Sequence, residues 1–374
     1  MILDRYLLGK LLTPLLYCVL GFVSVWLVWD MGANLPDFLS GHATFPLVAR
    51  YYLLQLPSVL VLSIPVGLLL ALLYTLTQMS RRNEIISMLC AGRSLWRIFA
   101  PLFAVGLVAT GMLFLLNREL APGAVTAGEK LKSQIKSGVA PFSGLSNHLY
   151  RNREDRRLWF LGGLFTRENQ AVNVEIIQQD PYGSATEKWY ALHAAYQPGL
   201  KSWHLDHVRH VTVDPSGNLL TSESLPVLDL KGWNETPWKI ASSRMVADDL
   251  GLPELREYLR SNAEFPAPRL APFVTHWHYR WALPWICMAV VLIAGPLGIV
   301  TGRRGILGGV GMAVVLFAAM LLLNSLFLAL GKGHRIPGWV AGWGSLMVFA
   351  VIGFFLLWVR ATGREMPRFR LPGL

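Results

Sequence analysis

Six apolar runs, each long enough to cross a bilayer, constrain this chain more than any other feature. They lie at about 11–29, 53–76, 98–116, 281–300, 306–330 and 338–359. A spanning helix needs roughly 20 predominantly apolar residues, and in lipid a helix satisfies its backbone polar groups internally. The runs form two triplets separated by a polar stretch from about residue 117 to 279. The fold class expected is therefore membrane α-helical, with six transmembrane helices (3+3) and an inserted soluble domain. Composition agrees, at 53% hydrophobic and 15% charged residues with a mean hydropathy of +0.42, far from a soluble average.

Orientation follows from lysine and arginine, which gather on the cytoplasmic side of membrane proteins. With the N-terminus inside, that side carries Arg5, Lys10, Arg81, Arg82, Arg93, Arg97, Arg303, Arg304, Arg360, Arg364, Arg368 and Arg370. The short loops opposite carry three, Arg50, Lys332 and Arg335. Both termini and the 81–97 loop are thus expected in the cytoplasm and the polar domain outside. The net charge of +11 has the same origin. A nucleic-acid site would need those charges gathered in one patch, so no nucleic-acid partner is expected. The first run is too long for a signal-peptide core and no small-x-small cleavage site follows it, so it reads as a retained signal anchor. Cys18, Cys90 and Cys287 lie far apart and give neither a disulfide framework nor a zinc spacing.

The polar stretch reads mainly as β. Segments 157–161, 172–177, 189–196, 203–212 and 219–230 are rich in aromatic and β-branched residues. Turn signals separate them, among them Asp180-Pro181-Tyr182-Gly183, Pro198-Gly199 and Asp214-Pro215-Ser216-Gly217. Strands at this spacing without intervening helices predict a sandwich or jelly roll. Residues 249–259 then predict a helix, with Leu250, Leu252, Leu255 and Leu259 as its apolar stripe.

The chemistry absent from the sequence narrows the function. There is no G-x4-G-K-[ST] nucleotide loop and no H-E-x-x-H zinc motif. His204 and His207 are close in sequence, but strand alternation does not aim them at one metal with a third ligand. The span interiors hold no ionisable residue, only mild polar groups such as Ser63, Thr75, Thr110 and Asn324. Proton paths and intramembrane active sites normally need one. No catalytic residue, metal ligand or cofactor is assigned to this chain, and energy for any transport must come from elsewhere. Pro57, Pro65, Pro101, Pro284 and Pro296 fall in or beside spans, either as bending points or as the ordinary proline content of membrane helices. Gly305-x3-Gly309 and Gly338-x3-Gly342 have the spacing of close helix packing.

The loop between the second and third runs stands out. Ile85, Met88 and Leu89 recur at helical spacing, Ile86 widens their face, Ser80 or Asn83 can cap the start, and Gly92 can close the end. A two-turn helix is unstable alone, so this face needs a partner. Glu84 at its front suits either a contact with a soluble motor or its own helix dipole and Arg81.

The segment Arg82-Asn83-Glu84-Ile85-Ile86-Ser87-Met88-Leu89-Cys90-Ala91-Gly92 resembles the S-E-hydrophobic-x-x-M-x-A-x-G coupling segment of the LptF/LptG (YjgP/YjgQ) permeases of lipopolysaccharide export. Asn117-x-Glu119-x-x-Pro122, Trp203-x-Leu205, Tyr279-Arg280-Trp281-Ala282-Leu283-Pro284 and Gly295-Pro296-Leu297-Gly298-Ile299, with Arg303 following, resemble further signatures of that family. Two places differ. Trp343-Gly344-Ser345 stands where the family often has W-x-P-N, and the turn after the first span holds Asp30 and Asp37 where some members place basic residues.

The resemblance implies a permease subunit in the bacterial inner membrane, paired with a second homologous permease, whose first and fifth spans enclose a lipid-sized cavity. It implies a cytoplasmic ABC ATPase dimer that binds the ATP and is docked by Glu84, Ile85, Met88, Leu89 and Gly92. It further implies a periplasmic β-jelly-roll domain that passes lipopolysaccharide to jelly-roll bridge proteins. The corresponding parts are 1–116 with the coupling helix near 81–92, the β-domain at 117–275, the last three spans at 276–360 and a cytoplasmic tail at 361–374. Substrate-contacting side chains are not singled out. A membrane-anchored scaffold whose outer β-domain binds a partner explains the strands but not the loop helix. A permease for another long lipid fits the same apolar walls.

Overall fold

In a computed structural model the chain is described at residues 2–137, 144–166, 168–214, 218–263, 265–299 and 306–362. Arg303, Arg304, Arg364, Arg368, Arg370, Gly305 and the turn residues 215–217 lie outside these, as do the side chains of Glu119 and Pro122 and the surroundings of Gly309.

In chain order the elements are α1 (Ile2–Ser40), α2 (Phe45–Arg81), α3 (Glu84–Cys90), α4 (Leu95–Leu115), a π-helical turn (Leu116–Leu120) and α5 (Ala121–Ser137). Six strands follow: β1 (Leu145–Asn152), β2 (Arg157–Phe165), β3 (Gln170–Gln179), β4 (Ala185–Gln197), β5 (Ser202–Val213) and β6 (Leu219–Lys231). The chain ends with α6 (Pro237–Ser242), α7 (Leu252–Ser261), α8 (Ala267–Ala282), a 3₁₀ turn (Leu283–Trp285), α9 (Ile286–Gly298), α10 (Ile306–Lys332) and α11 (Gly338–Ala361). Two units result, a helical one from Met1–Val139 with Ala247–Leu374 and a β-rich one from Ala140–Val246.

Among the described residues of the helical unit six helices are long and apolar enough to cross a membrane, with α8 and α9 counted as one span. Each of the six apolar runs falls on one of them. The helices outrun the runs, however. The 39 residues of α1 extend about 58 Å, well beyond a hydrocarbon core of roughly 30 Å. Pro57, Pro65, Pro101 and Pro296 sit inside continuous helices, while Pro284 sits in the 3₁₀ turn between α8 and α9. The core of the bundle joins α2, α4 and α9 through Leu68, Leu72, Leu76, Ile98, Phe99, Leu102, Val290 and Ile293, each nearly inaccessible. Gly338-x3-Gly342 is a packing motif within the chain. A Cβ at Gly342 would stand 2.7 Å from the backbone of His278 and Tyr279 in α8, and one at Gly338 would stand 2.8 Å from Val274.

The β unit is one antiparallel sheet in the order β1-β2-β3-β4-β5-β6. The inserted β-domain is as expected, with the described strands joined as a meander. The five expected strand segments all lie within β2 to β6, and β1 is additional. Alternation sends one face inward: Trp159, Ile176, Trp189, Trp203 and Leu205 form its core with Ile240 of α6. The register stacks this core across the sheet, Trp159 opposite Ile176 and Ile176 opposite Trp189. Behind the tryptophans lies a buried charge. The Glu235 carboxylate, inaccessible to solvent, accepts from Arg157 Nε at 2.7 Å, from Arg157 Nη2 at 3.1 Å and from Asn152 at 2.6 Å. The Arg157 guanidinium lies 4.2 Å over the Trp233 ring, and the Trp203 indole donates to the Glu235 carbonyl.

Candidate coupling site and membrane-facing helices

The loop helix forms where its periodicity places it. Asn83 precedes it in the left-handed region at φ 59° without a side-chain cap, so the capping expected of this residue is not made. Asparagine tolerates that conformation better than most residues. Gly92, at φ 78°, ends the helix as expected. Its N–H bonds the carbonyl of Leu89, and that of Arg93 reaches back to Met88, satisfying carbonyls that the last turn leaves open.

The apolar face divides. Ile85 is 1% exposed and belongs to the bundle core, and Met88 packs partly against that core. Leu89 and Ile86 point outward, 38% and 42% exposed, flanked by the exposed Arg81, Arg82 and Arg93. Glu84 is half-buried, and its Oε2 accepts a hydrogen bond from the Tyr6 hydroxyl of α1 at 3.1 Å. Beyond the loop, in the first turn of α4, Arg97 Nη2 meets Asp4 Oδ2 at 3.1 Å. Sequence reasoning missed both partners. Tyr6 and Glu84 are 78 residues apart, Asp4 and Arg97 are 93 apart, and no local pattern joins such pairs.

The spans differ sharply in how far the chain covers them. Of the most apolar stretch of each, 67% is buried in α2 and in α8–α9, against 6% in α1 and 17% in α10. The first and fifth spans therefore leave most of their apolar surface to something other than this chain.

At the other end of α1, the structure supplies the basic residues that its closing turn lacks. Lys136 and Lys132 of α5 lie 3.2 and 3.8 Å from the Asp37 carboxylate, and Phe38 packs edge-on to Tyr51. Two of the sequence signatures meet within the helical unit. The Asn117 amide donates to the Arg280 carbonyl at 3.0 Å, and Arg280 donates to the Asn117 side-chain oxygen at 3.1 Å. Arg280 also donates to the Asp248 carbonyl, and Lys332 at the end of α10 meets both Asp248 carboxylate oxygens at 2.8 and 2.9 Å. Burial opposes the charge on Asp248, yet the Lys332 hydrogen bond and the nearby His276, Lys332 and Arg280 charges hold its carboxyl below the usual carboxylate range. In the last span, Ser345 of the divergent Trp343-Gly344-Ser345 is buried and donates to the Met320 carbonyl of α10. In the β unit, His204 is held by Asp229 and Asp206 at 2.6 and 3.4 Å. Among the described residues, no three side chains of metal-ligand type converge on one point.

Fold and site together define a polytopic membrane protein with an inserted β-domain, a clasped loop helix and two spans left largely uncovered. The chain belongs to the LptF/LptG family: the description "Lipopolysaccharide export system permease LptF/LptG" matches it over residues 5–359. A comparison with curated proteins finds no match. Family membership makes the chain a permease subunit that works with other components of lipopolysaccharide export and is not itself catalytic.

Proposed function

We propose that this chain is one permease half of an ATP-driven exporter that extracts lipopolysaccharide from the bacterial inner membrane and passes it to a periplasmic bridge. The observation that carries this reading is the exposure of α1 and α10, the two spans that would face the second permease and enclose the lipid. Their walls are apolar throughout their central portions and suit acyl chains. The sequence holds no nucleotide-binding loop, so the work comes from a cytoplasmic ABC ATPase dimer that binds the ATP. Docking on that ATPase falls to the outward side of α3, with Leu89, Ile86 and the edge of Met88 as contacts. Ile85 fixes the helix to the bundle from beneath, and Gly92 ends it. The open edges of the sheet, β1 and β6, are where strands of the bridge proteins would add.

The test is a pull-down of the tagged full-length chain from detergent-solubilised native membranes, followed by reconstitution with lipopolysaccharide. Co-purification of an ATPase and a second six-span permease, with ATP-dependent release of the lipid, is expected. A chain that purifies alone, or with periplasmic proteins only, overturns the reading in favour of a static scaffold.

A further inference from the structure

We propose that the first turns of α1 are the transmission element between α3 and the lipid-facing surface, with Tyr6 and Asp4 as positioning residues. The inference rests on the reading above, in which a partner ATPase moves α3. It adds the route by which that movement reaches the membrane.

Three observations carry it. First, the loop is held at both of its ends by two residues of the opening of one helix, within a single turn: Tyr6 bonds Glu84 at the head of α3, and Asp4 bonds Arg97 just after it. Second, a wedge of leucine fills the space behind the two polar links. Leu7 and Leu11 are 0% exposed and belong to the same close-packed core as Ile85, Ile98 and Met79, so a shift of α3 is felt through that core by the start of α1. Third, α1 is fastened near its two ends. Its buried residues are Leu7 and Leu11 at one end and Asn34 and Phe38 at the other. Between them it leans on α2, where a Cβ at Gly67 would press against Val19, and leaves its opposite face uncovered. A helix held in this way turns a displacement at one end into a tilt along the whole uncovered face.

The two polar links suit transmission better than stabilisation. Arg97 and Asp4 are 51% and 26% exposed, and pairs of that kind add little to stability. They do fix direction, because a charge-assisted hydrogen bond has a preferred geometry. Glu84 thereby serves transport through Tyr6, while Leu89 and Ile86 serve docking.

The test uses the full complex of this chain, its second permease and its ATPase, reconstituted in lipid vesicles with lipopolysaccharide as substrate. In Tyr6→Phe combined with Asp4→Asn, the ATPase should co-purify as in the wild type and hydrolysis should stay within roughly two-fold, while lipid moved per ATP falls by about five-fold or more. Asp4→Arg should lower that ratio likewise, and adding Arg97→Asp should restore it, with co-purification of the ATPase and hydrolysis unchanged throughout, a split that a merely structural role would not produce. The proposal is overturned if lipid moved per ATP is unchanged in Tyr6→Phe with Asp4→Asn, if transfer falls only in proportion to lost ATPase, or if the charge swap gives no recovery. Tyr6→Phe alone, which removes one hydroxyl, serves if the double variant folds poorly, with the same direction expected and an unchanged ratio counting against. A wild-type complex that releases no lipopolysaccharide overturns the function itself, an outcome separate from failure of the relay.

Discussion

Replacing Arg157 by Met isolates what the buried charge contributes to the β unit. Arg157 is 12% exposed and Glu235 is 0% exposed, so removing the guanidinium leaves a carboxylate in the interior with Asn152 as its remaining side-chain donor among the bonds described. Breaking a buried pair by deleting one partner costs about 3–5 kcal/mol. Loss of the contact over Trp233 adds roughly 1 kcal/mol, since methionine replaces the stem but not the charge. Hydrogen exchange on the full-length chain in detergent reads this directly, through amides of β3 and β4 that open with the unit. At about 1.4 kcal/mol per decade, their exchange should accelerate by about three to four orders of magnitude. The double variant Arg157→Met with Glu235→Gln removes the stranded charge and should recover more than roughly 1 kcal/mol of the loss, a coupling expected only of residues in direct contact. Acceleration below about ten-fold in the single variant, or a double variant as fast as the single, refutes the reasoning.

Gly342→Leu should lower the melting midpoint of the helical unit in detergent. The new side chain meets the α8 backbone at 2.7 Å, and overpacking of this kind costs about 1–3 kcal/mol or more; an unchanged midpoint counts against close packing there. Leu89→Asp should abolish co-purification of the ATPase at normal expression, whereas Ile85→Asp should lower the amount of folded chain by burying a charge. Equal effects in the two assays contradict the division of the α3 face. For Asp248, a lowered carboxyl pKa means that its stabilising contribution is complete above the unfolded pKa near 3.9 and is lost as pH falls through the lower folded value. The side-chain nitrogen resonance of Lys332 should therefore hold its paired position from pH 7 to 5 and move only below about pH 4; a transition between 4 and 6 refutes this.

The spans were legible because apolar composition over twenty residues leaves a membrane chain few alternatives. The strands of the β unit were legible where tryptophan and β-branched residues alternate, as in β4 and β5. β1 was not, since Leu145-Ser146-Asn147-His148-Leu149-Tyr150-Arg151-Asn152 offers few apolar residues and is held through His148, which bonds the Ile240 carbonyl. α5 was missed because it starts Ala-Pro-Gly-Ala, which reads as loop, and because its apolar side, Leu131 and Ile135, becomes evident only beside Phe38 and Tyr51. The loop helix shows the limit most clearly. Spacing put Ile85 and Leu89 on one face, but which of them turns inward depends on a core that includes Leu7 of α1 and Val290 of α9, residues no local window contains.

The meander has a consequence for how the protein is made. Each strand pairs with the one just synthesised, so the sheet can assemble as it emerges, by short-range contacts that form quickly. The bundle cannot. Phe99 and Leu76 find their surroundings at Gly295 and Gly298 of α9, 196 and 222 residues later. The first three spans therefore wait in the bilayer, incompletely packed, until a finished β-domain has been left behind and the fourth span arrives. Assembly is gated by that late insertion, and a ribosome stalled before α9 would leave a folded sheet tethered to an unclosed set of helices, a marked target for membrane proteases.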